Sequence, residues 1–205
     1  MAVRLTDRIS YIPSCDAPLS ADVAIIKGDK RTYIFDVGNG QRYIDEILSI
    51  AGEKHIIISH FHPDHMGNLK SLPDMPCYVG GNTFKYAKRG DIVDKDIYID
   101  DGIHLHIFPL PSSHAKGSLG LEIDETFIFT GDALGPAIKP DKLLFNAQVL
   151  NEEIKVLKRL TADKVIQSHR MDKTEAKSKV ISRLEAIYAK RNGQEPYIEM
   201  AGYYG

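Results

Sequence analysis

An apolar, β-branched run, Ile56-Ile57-Ile58, leads directly into Ser59-His60-Phe61-His62-Pro63-Asp64-His65-Met66-Gly67-Asn68. The run reads as a buried strand. Three histidines and an aspartate then fall within six residues at its end. A strand that terminates in so many imidazole and carboxylate groups points to a metal site carried on a rigid element. Those donors suit zinc and other first-row divalent metals.

The rest of the chain supplies strands and helices in a repeated order. Arg8 to Pro13, Asp22 to Lys27 and Thr32 to Val37 read as short strands, with Gly28-Asp29 as one of the intervening turns. Gly38-Asn39-Gly40 stops the third. Tyr43, Ile44, Ile47, Leu48 and Ala51 then recur at helical spacing over residues 41–51. Lys54 to Ser59 is the strand that ends in the histidine cluster, and a helix begins near Gly67 with Leu69 and Leu72. Cys77 to Gly80 is a further strand, and Asn82 caps a helix reaching Lys88. Residues 91–103 are polar and acidic, and read as a hairpin or a flap.

In the second half, His104 to Pro109, Ser118 to Ile123 and Thr126 to Thr130 are strands, with Glu125 in a tight turn between the last two. Val149, Leu150, Ile154, Leu157 and Leu160 mark an amphipathic helix over 146–160. Lys164 to Gln167 is a strand and 174–191 a last helix. The tail from Gln194 to Gly205 shows no clear element, although Tyr197, Ile198 and Met200 to Tyr204 are apolar enough to pack on the body or on a second copy. Strands followed by a helix, twice over, predict two sheets with helices outside them.

The 205 residues suffice for one sizeable domain over 1–205, and 43% hydrophobic content is ample for a core. Twenty-six basic residues stand against 28 acidic ones. That balance offers no basic excess for nucleic acid or an anionic membrane, so neither is an expected partner. No 18-residue apolar run and no signal-type leader are visible, and a cytoplasmic location is expected. Cys15 and Cys77 lack zinc-site spacing and are expected to be reduced and unpaired.

Several strands end in ligand-type residues. Besides the 60–65 cluster there are Ser113-His114, Gly131-Asp132 and Ser168-His169, with Phe35-Asp36 earlier in the chain. This ordered set resembles the metallo-β-lactamase-fold hydrolases. Their pattern is His-x-His-x-Asp-His, then a lone histidine, a bridging aspartate and a final histidine. His60-Phe61-His62-Pro63-Asp64-His65, His114, Asp132 in Phe-Thr-Gly-Asp and His169 in Gln-Ser-His match it in order, and Asp36-Val-Gly matches an early aspartate-x-glycine turn. The likeness spans roughly residues 8 to 170.

The resemblance implies an α/β fold, a four-layer αββα sandwich of two mixed β-sheets flanked by helices. It implies two divalent metal ions, zinc foremost with iron or manganese as alternatives. His60, His62 and His114 would hold the first metal; Asp64, His65 and His169 would hold the second; Asp132 would bridge them. Such a pair shares a water and lowers its pKa toward neutrality, giving a hydroxide nucleophile. Asp64 would hold or shuttle its proton, and Asp36 would support the ligands from behind. By contrast, His55, His104 and His106 read as ordinary hydrogen-bonded residues. Lys139, Arg170 and the tail tyrosines read as solvated surface.

The implied activity is hydrolysis of a small-molecule ester, thioester, lactone or related bond by a compact glyoxalase II-like member. Only 36 residues follow His169, too few for a full thioester-recognition domain. Alternatives are a mononuclear iron sulfur dioxygenase of the same fold and a non-catalytic metal-binding protein. Flavodiiron relatives typically carry glutamate where this chain has His62. A secreted β-lactamase would need an export signal, and a nuclease an insertion for which the Asp132–His169 spacing leaves no room. Substrate contacts are expected from residues 81–103 and from the tail, and a homodimer is one role the tail suggests.

Overall fold

A computed structural model describes residues 2–200. The first half runs through β1 (Val3–Arg4), β2 (Ile9–Ile12), a small hairpin of β3 (Cys15–Asp16) and β4 (Leu19–Ser20), β5 (Val23–Lys27) and β6 (Arg31–Phe35). Helix α1 (Gln41–Ser49), β7 (Glu53–Ile57), the single turn α2 (Pro63–Met66), β8 (Cys77–Val79), α3 (Gly81–Ala87) and β9 (Asp91–Ile92) follow. The second half contains β10 (Ile97–Asp100), β11 (His104–Leu110), β12 (Ser118–Ile123), β13 (Phe127–Phe129), β14 (Ala137–Lys139) and β15 (Lys142–Asn146). It closes with α4 (Ala147–Arg159), β16 (Lys164–Ile166), β17 (Thr174–Ala176), α5 (Lys177–Tyr188) and β18 (Tyr197–Met200).

Two mixed sheets result. One has the order β1-β2-β5-β6-β7-β8-β9, the other β10-β11-β12-β13-β16-β17. Each begins as an antiparallel meander and turns parallel where a helix makes the crossover: β6 to β7 through α1, and β13 to β16 through α4.

Three separate apolar clusters show how the layers stack. Ala24, Ile26, Tyr33, Phe35 and Ile57 of the first sheet meet Leu105, Ile107, Leu119, Leu121 and Ile166 of the second between the sheets. Their neighbours in sequence face the other way, as the period of two requires. Ile25, Ile34 and Ile56 pack outward with Tyr43 and Ile47 of α1. Phe108, Ile128 and Val165 pack outward with Leu150, Ile154 and Leu157 of α4 and Val180 and Leu184 of α5. Helices cover both outer faces, which is the expected four-layer αββα arrangement.

The local departures have physical causes. Residues 91–103 do not pair with one another as a single hairpin. Asp91–Ile92 adds to the edge of the first sheet and Ile97–Asp100 to the edge of the second, so the segment crosses between them. The helix placed near Gly67 begins at Pro63, whose fixed φ and missing N–H suit a first turn; residues 67–70 continue it as a 3₁₀ turn. Gly80, not Asn82, is the N-cap of α3. Asn146 caps α4 by accepting a hydrogen bond from Val149 N at 3.0 Å.

Residues 174–176 are a strand on β16 rather than the start of the last helix. In the tail, β18 pairs antiparallel with β15 and buries Ile198, with Met200 packed beside it. The rest of the apolar tail, residues 201–205, lies outside the described residues. Cys15 and Cys77 are both free. Among the described residues no helix is long and apolar enough to cross a membrane.

Glu153 lies wholly buried on the inward face of α4, and neither carboxylate oxygen has a hydrogen-bond partner. Burial alone pushes its pKa well above the usual carboxylate range. The folded chain therefore keeps a proton that the unfolded chain releases above its ordinary value of 4.5. Stability then falls as pH rises from there through the folded value. Glu153→Leu should stabilise the metal-free protein by about 1–3 kcal/mol at pH 8, and by much less at pH 4.5. Urea unfolding of both proteins at both pH values checks this; an equal difference at the two pH values would contradict it.

Candidate metal centre

Every residue of the expected set sits just beyond the end of a strand, at one pole of the sandwich. His60 and His62 follow β7, and the turn α2 then presents Asp64 and His65. His114 lies in the β11–β12 loop, Asp132 just after β13 and His169 just after β16. The first sheet thus contributes four of the seven and the second sheet three.

The seven residues divide into two groups, each with its ligand-type atoms within 4.8 Å of one another: His60, His62 and His114, and Asp64, His65, Asp132 and His169. In the first, His62 Nδ1 lies 3.0 Å from both His60 Nε2 and His114 Nε2. One ring nitrogen offers one proton or one lone pair, so it cannot satisfy both neighbours. A shared cation can. In the second group, His65 Nε2 is 3.2 Å from Asp132 Oδ2, and His169 Nε2 is 3.1 Å from Asp64 Oδ2. Asp132 Oδ2 is also 3.7 Å from His114 Nε2 and 3.7 Å from His169 Nε2. It therefore lies between the groups. The donor set, imidazole with carboxylate, suits divalent metal.

The ring nitrogens that point away from this convergence are held from behind. Asp36, fully buried, accepts from His65 Nδ1 at 2.7 Å, from Ser59 Oγ at 2.8 Å and from Ser59 N at 2.7 Å. Ser59 Oγ lies 3.0 Å from His60 Nδ1 and accepts its proton. One carboxylate thus orients a histidine of each group, leaving both Nε2 atoms to face inward. The Asp36 backbone is left-handed, φ 63°, a conformation that aspartate tolerates better than most residues. His169 is left-handed too, φ 62°. Gly131, next to Asp132, is glycine for a steric reason: a side chain there would strike Ser59.

Charge follows this geometry. Burial, then the crowd of neighbouring imidazoles, holds His60 well below the ordinary histidine value. Burial also lowers His62 and His114. These three are neutral at pH 7. His65 goes the other way. Burial works against its charged form, but Asp36 and Asp132 outweigh it and push the pKa up to about 10. The hydrogen bond to Asp64 raises His169 as well. Asp64 and Asp132 are held low despite burial, by His169 and His65 respectively.

Three supporting residues escaped the sequence reading because each is a small polar residue without a motif. Ser59 is the first, bonded to both Asp36 and His60. Ser112 Oγ accepts from His114 N at 3.1 Å and donates to Ala133 O at 2.8 Å, tying the His114 loop to the Asp132 loop. Asp22 accepts from Met171 N at 3.3 Å and so braces the turn after His169 from the first sheet.

The residues set aside stay outside the centre. His55 bonds Glu53 at 2.7 Å, His106 bonds Glu122 at 3.0 Å and His104 lies 3.6 Å from Asp100. Lys139 and Arg170 are exposed.

The family model of the metallo-beta-lactamase superfamily matches residues 16–74, which include Asp36 and the 60–65 cluster. Among solved structures, DIM-1 metallo-beta-lactamase is similar at 15% identity, covering 92% of this chain and 96% of its own, with a TM-score of 0.70. The chain has the metallo-β-lactamase fold. The chemotaxis sensor ODP, in its peroxy diiron species, shares that fold at 14% identity and TM-score 0.67, over 90% of this chain and 94% of that one. A flavo di-iron protein from Thermotoga maritima, a mutant form, shares it at 13% identity and TM-score 0.70; 95% of this chain covers 63% of that longer one. No curated protein sequence matches. The expected fold holds, and the family model matches the part of the chain that carries the 60–65 cluster; neither assigns the chain to the glyoxalase II-like branch.

Metal taken up by the Asp64/His65/Asp132/His169 group must displace the proton on His65 Nε2, because that histidine is protonated below about pH 10. Affinity there should fall about tenfold per pH unit as pH drops, with proton release seen by calorimetry in buffers of different ionisation enthalpy. Asp36→Ala should weaken metal binding about 10- to 100-fold in a chelator competition, whereas His106→Ala should leave it unchanged. A pH-independent affinity, or an Asp36→Ala protein that binds like the parent, would contradict this account.

Proposed function

We propose that this protein is a metal-dependent hydrolase that cleaves an ester, thioester, lactone or related bond of a small molecule. The observation that carries the reading is the position of the Asp132 carboxylate between a three-histidine group and an Asp/His group. Two cations held by those groups would activate a shared water near neutral pH and polarise the substrate oxygen as Lewis acids.

The chain's own residues support that chemistry. His60, His62 and His114 are neutral imidazoles able to hold one cation without losing protons. Asp64, His65 and His169 would hold the second, with Asp132 placed to serve both. Asp64, kept ionised by His169 and His65, offers a carboxylate as the proton acceptor beside the reacting centre. Ser59 and Asp36 keep the rings from turning. Zinc fits the donors, as do iron and manganese.

A second reading has its own support. The three histidines form a complete nitrogen set by themselves, enough for a single iron in a dioxygenase.

The deciding experiment is metal analysis of the purified protein, with activity screened across esters, thioesters, lactones and phosphodiesters after loading with zinc, iron or manganese. We expect two metals per chain, hydrolytic turnover, and at least a 100-fold loss of kcat in Asp132→Ala. One iron per chain with oxygen consumption on a persulfide would replace the hydrolase by the dioxygenase. Near-normal turnover in Asp132→Ala would mean the bridge is misassigned.

A further inference from the structure

We propose that Phe61 and Tyr86 form a subsite beside the metal centre that receives a flat, aromatic part of the substrate. Phe61 stands between His60 and His62 in sequence, and its ring meets the His62 ring edge-on at 4.9 Å. It also stacks on Tyr86 of α3, with centroids 4.6 Å apart and planes 14° apart. The pair is not core filling. Tyr86 is 59% exposed and Phe61 only partly buried. A stacked aromatic pair left open to solvent next to a histidine cluster presents apolar, planar surface where a bound molecule would gain most from covering it.

The pair is also held rigidly relative to the centre. Phe84 and Ala87 anchor α3 on the outer core of the first sheet. At its start, Gly80 lies so close to Gly117 that a side chain there would collide with the Gly117 carbonyl, and Thr83 Oγ1 donates to that carbonyl at 3.2 Å. Gly117 belongs to the loop that carries His114. The helix that presents Tyr86 is therefore keyed to the loop that carries His114, which holds the stack beside the three-histidine group. A fixed aromatic surface selects by shape: a planar ring can extend the stack, whereas a short alkyl chain gains little.

This subsite names a substrate class for the hydrolase reading and rests on it for that purpose. Its test is made by binding. Full-length zinc-loaded protein is titrated with phenylacetate, cyclohexylacetate and acetate by calorimetry, and saturation transfer from the protein to the ring protons is recorded. Phenylacetate should bind about three- to tenfold tighter than either other acid. Tyr86→Ala should abolish that preference while leaving acetate affinity and metal content unchanged, and Tyr86→Phe should retain it. Tyr86 is exposed enough for these variants to fold, and Phe61→Leu serves as the second probe. Equal affinities in the parent, or a preference untouched by Tyr86→Ala, would overturn the subsite. An aromatic preference in a protein that hydrolyses none of the screened esters, thioesters, lactones or phosphodiesters would sink the hydrolase reading and leave the subsite standing; hydrolytic turnover with no aromatic preference would do the reverse.

Discussion

The buried carboxylate of Asp36 is the constraint on which the centre depends. It is a charge-bearing group with no solvent exposure, and burial of such a group is tolerated only when its lone pairs are occupied. Ser59 N, Ser59 Oγ and His65 Nδ1 occupy them. Satisfying that carboxylate and orienting the histidines are one and the same requirement. The left-handed backbone at Asp36 is set by the same turn, where Val37 N and Gly38 N both bond to His65 O. Relaxing the turn would release the imidazole it grips.

The second dependence is on the docking of the two sheets. No single sheet carries the whole constellation, so the apolar layer between them is part of the chemistry. Phe35 and Phe129, whose rings meet edge-to-face at 5.9 Å, immediately precede the Asp36 turn and the Thr130-Gly131-Asp132 turn. Leu119 N bonds to Ser59 O at 2.8 Å, and Ser168 N to Gly131 O at 3.1 Å, locking neighbouring strand ends to one another. Displacement of one sheet by a fraction of an ångström would be felt in every distance across the centre.

The sequence displayed the ligand-type residues because each is a chemically distinctive side chain at the end of an apolar run. It displayed the layers because periods of 2 and 3.6 residues alternate cleanly: Ile34 points outward while Tyr33 and Phe35 point inward. What stayed hidden is what depends on tertiary pairing. The strand at Tyr197–Met200 exists because β15 offers it an edge, and nothing in its composition says so. Asp91–Ile92 and Ile97–Asp100 look like one hairpin until two different sheets claim them. Ser59, Ser112 and Asp22 are ordinary residues whose roles arise from where the fold puts their oxygens. Glu153 breaks the polar-outside rule with no hydrogen-bond partner among the described residues.

The division of labour between the sheets has a consequence for how the protein is made. Asp36, Ser59, His60 and His65 all belong to the first half of the chain, and so do the hydrogen bonds that link them. Synthesis proceeds from that end, so the orienting carboxylate and the two rings it controls leave the ribosome well before His114, Asp132 and His169. The hydrogen bonds that orient those two rings therefore draw on no residue of the second half. The second sheet, in covering the inner apolar face of the first, brings the three remaining side chains to the centre.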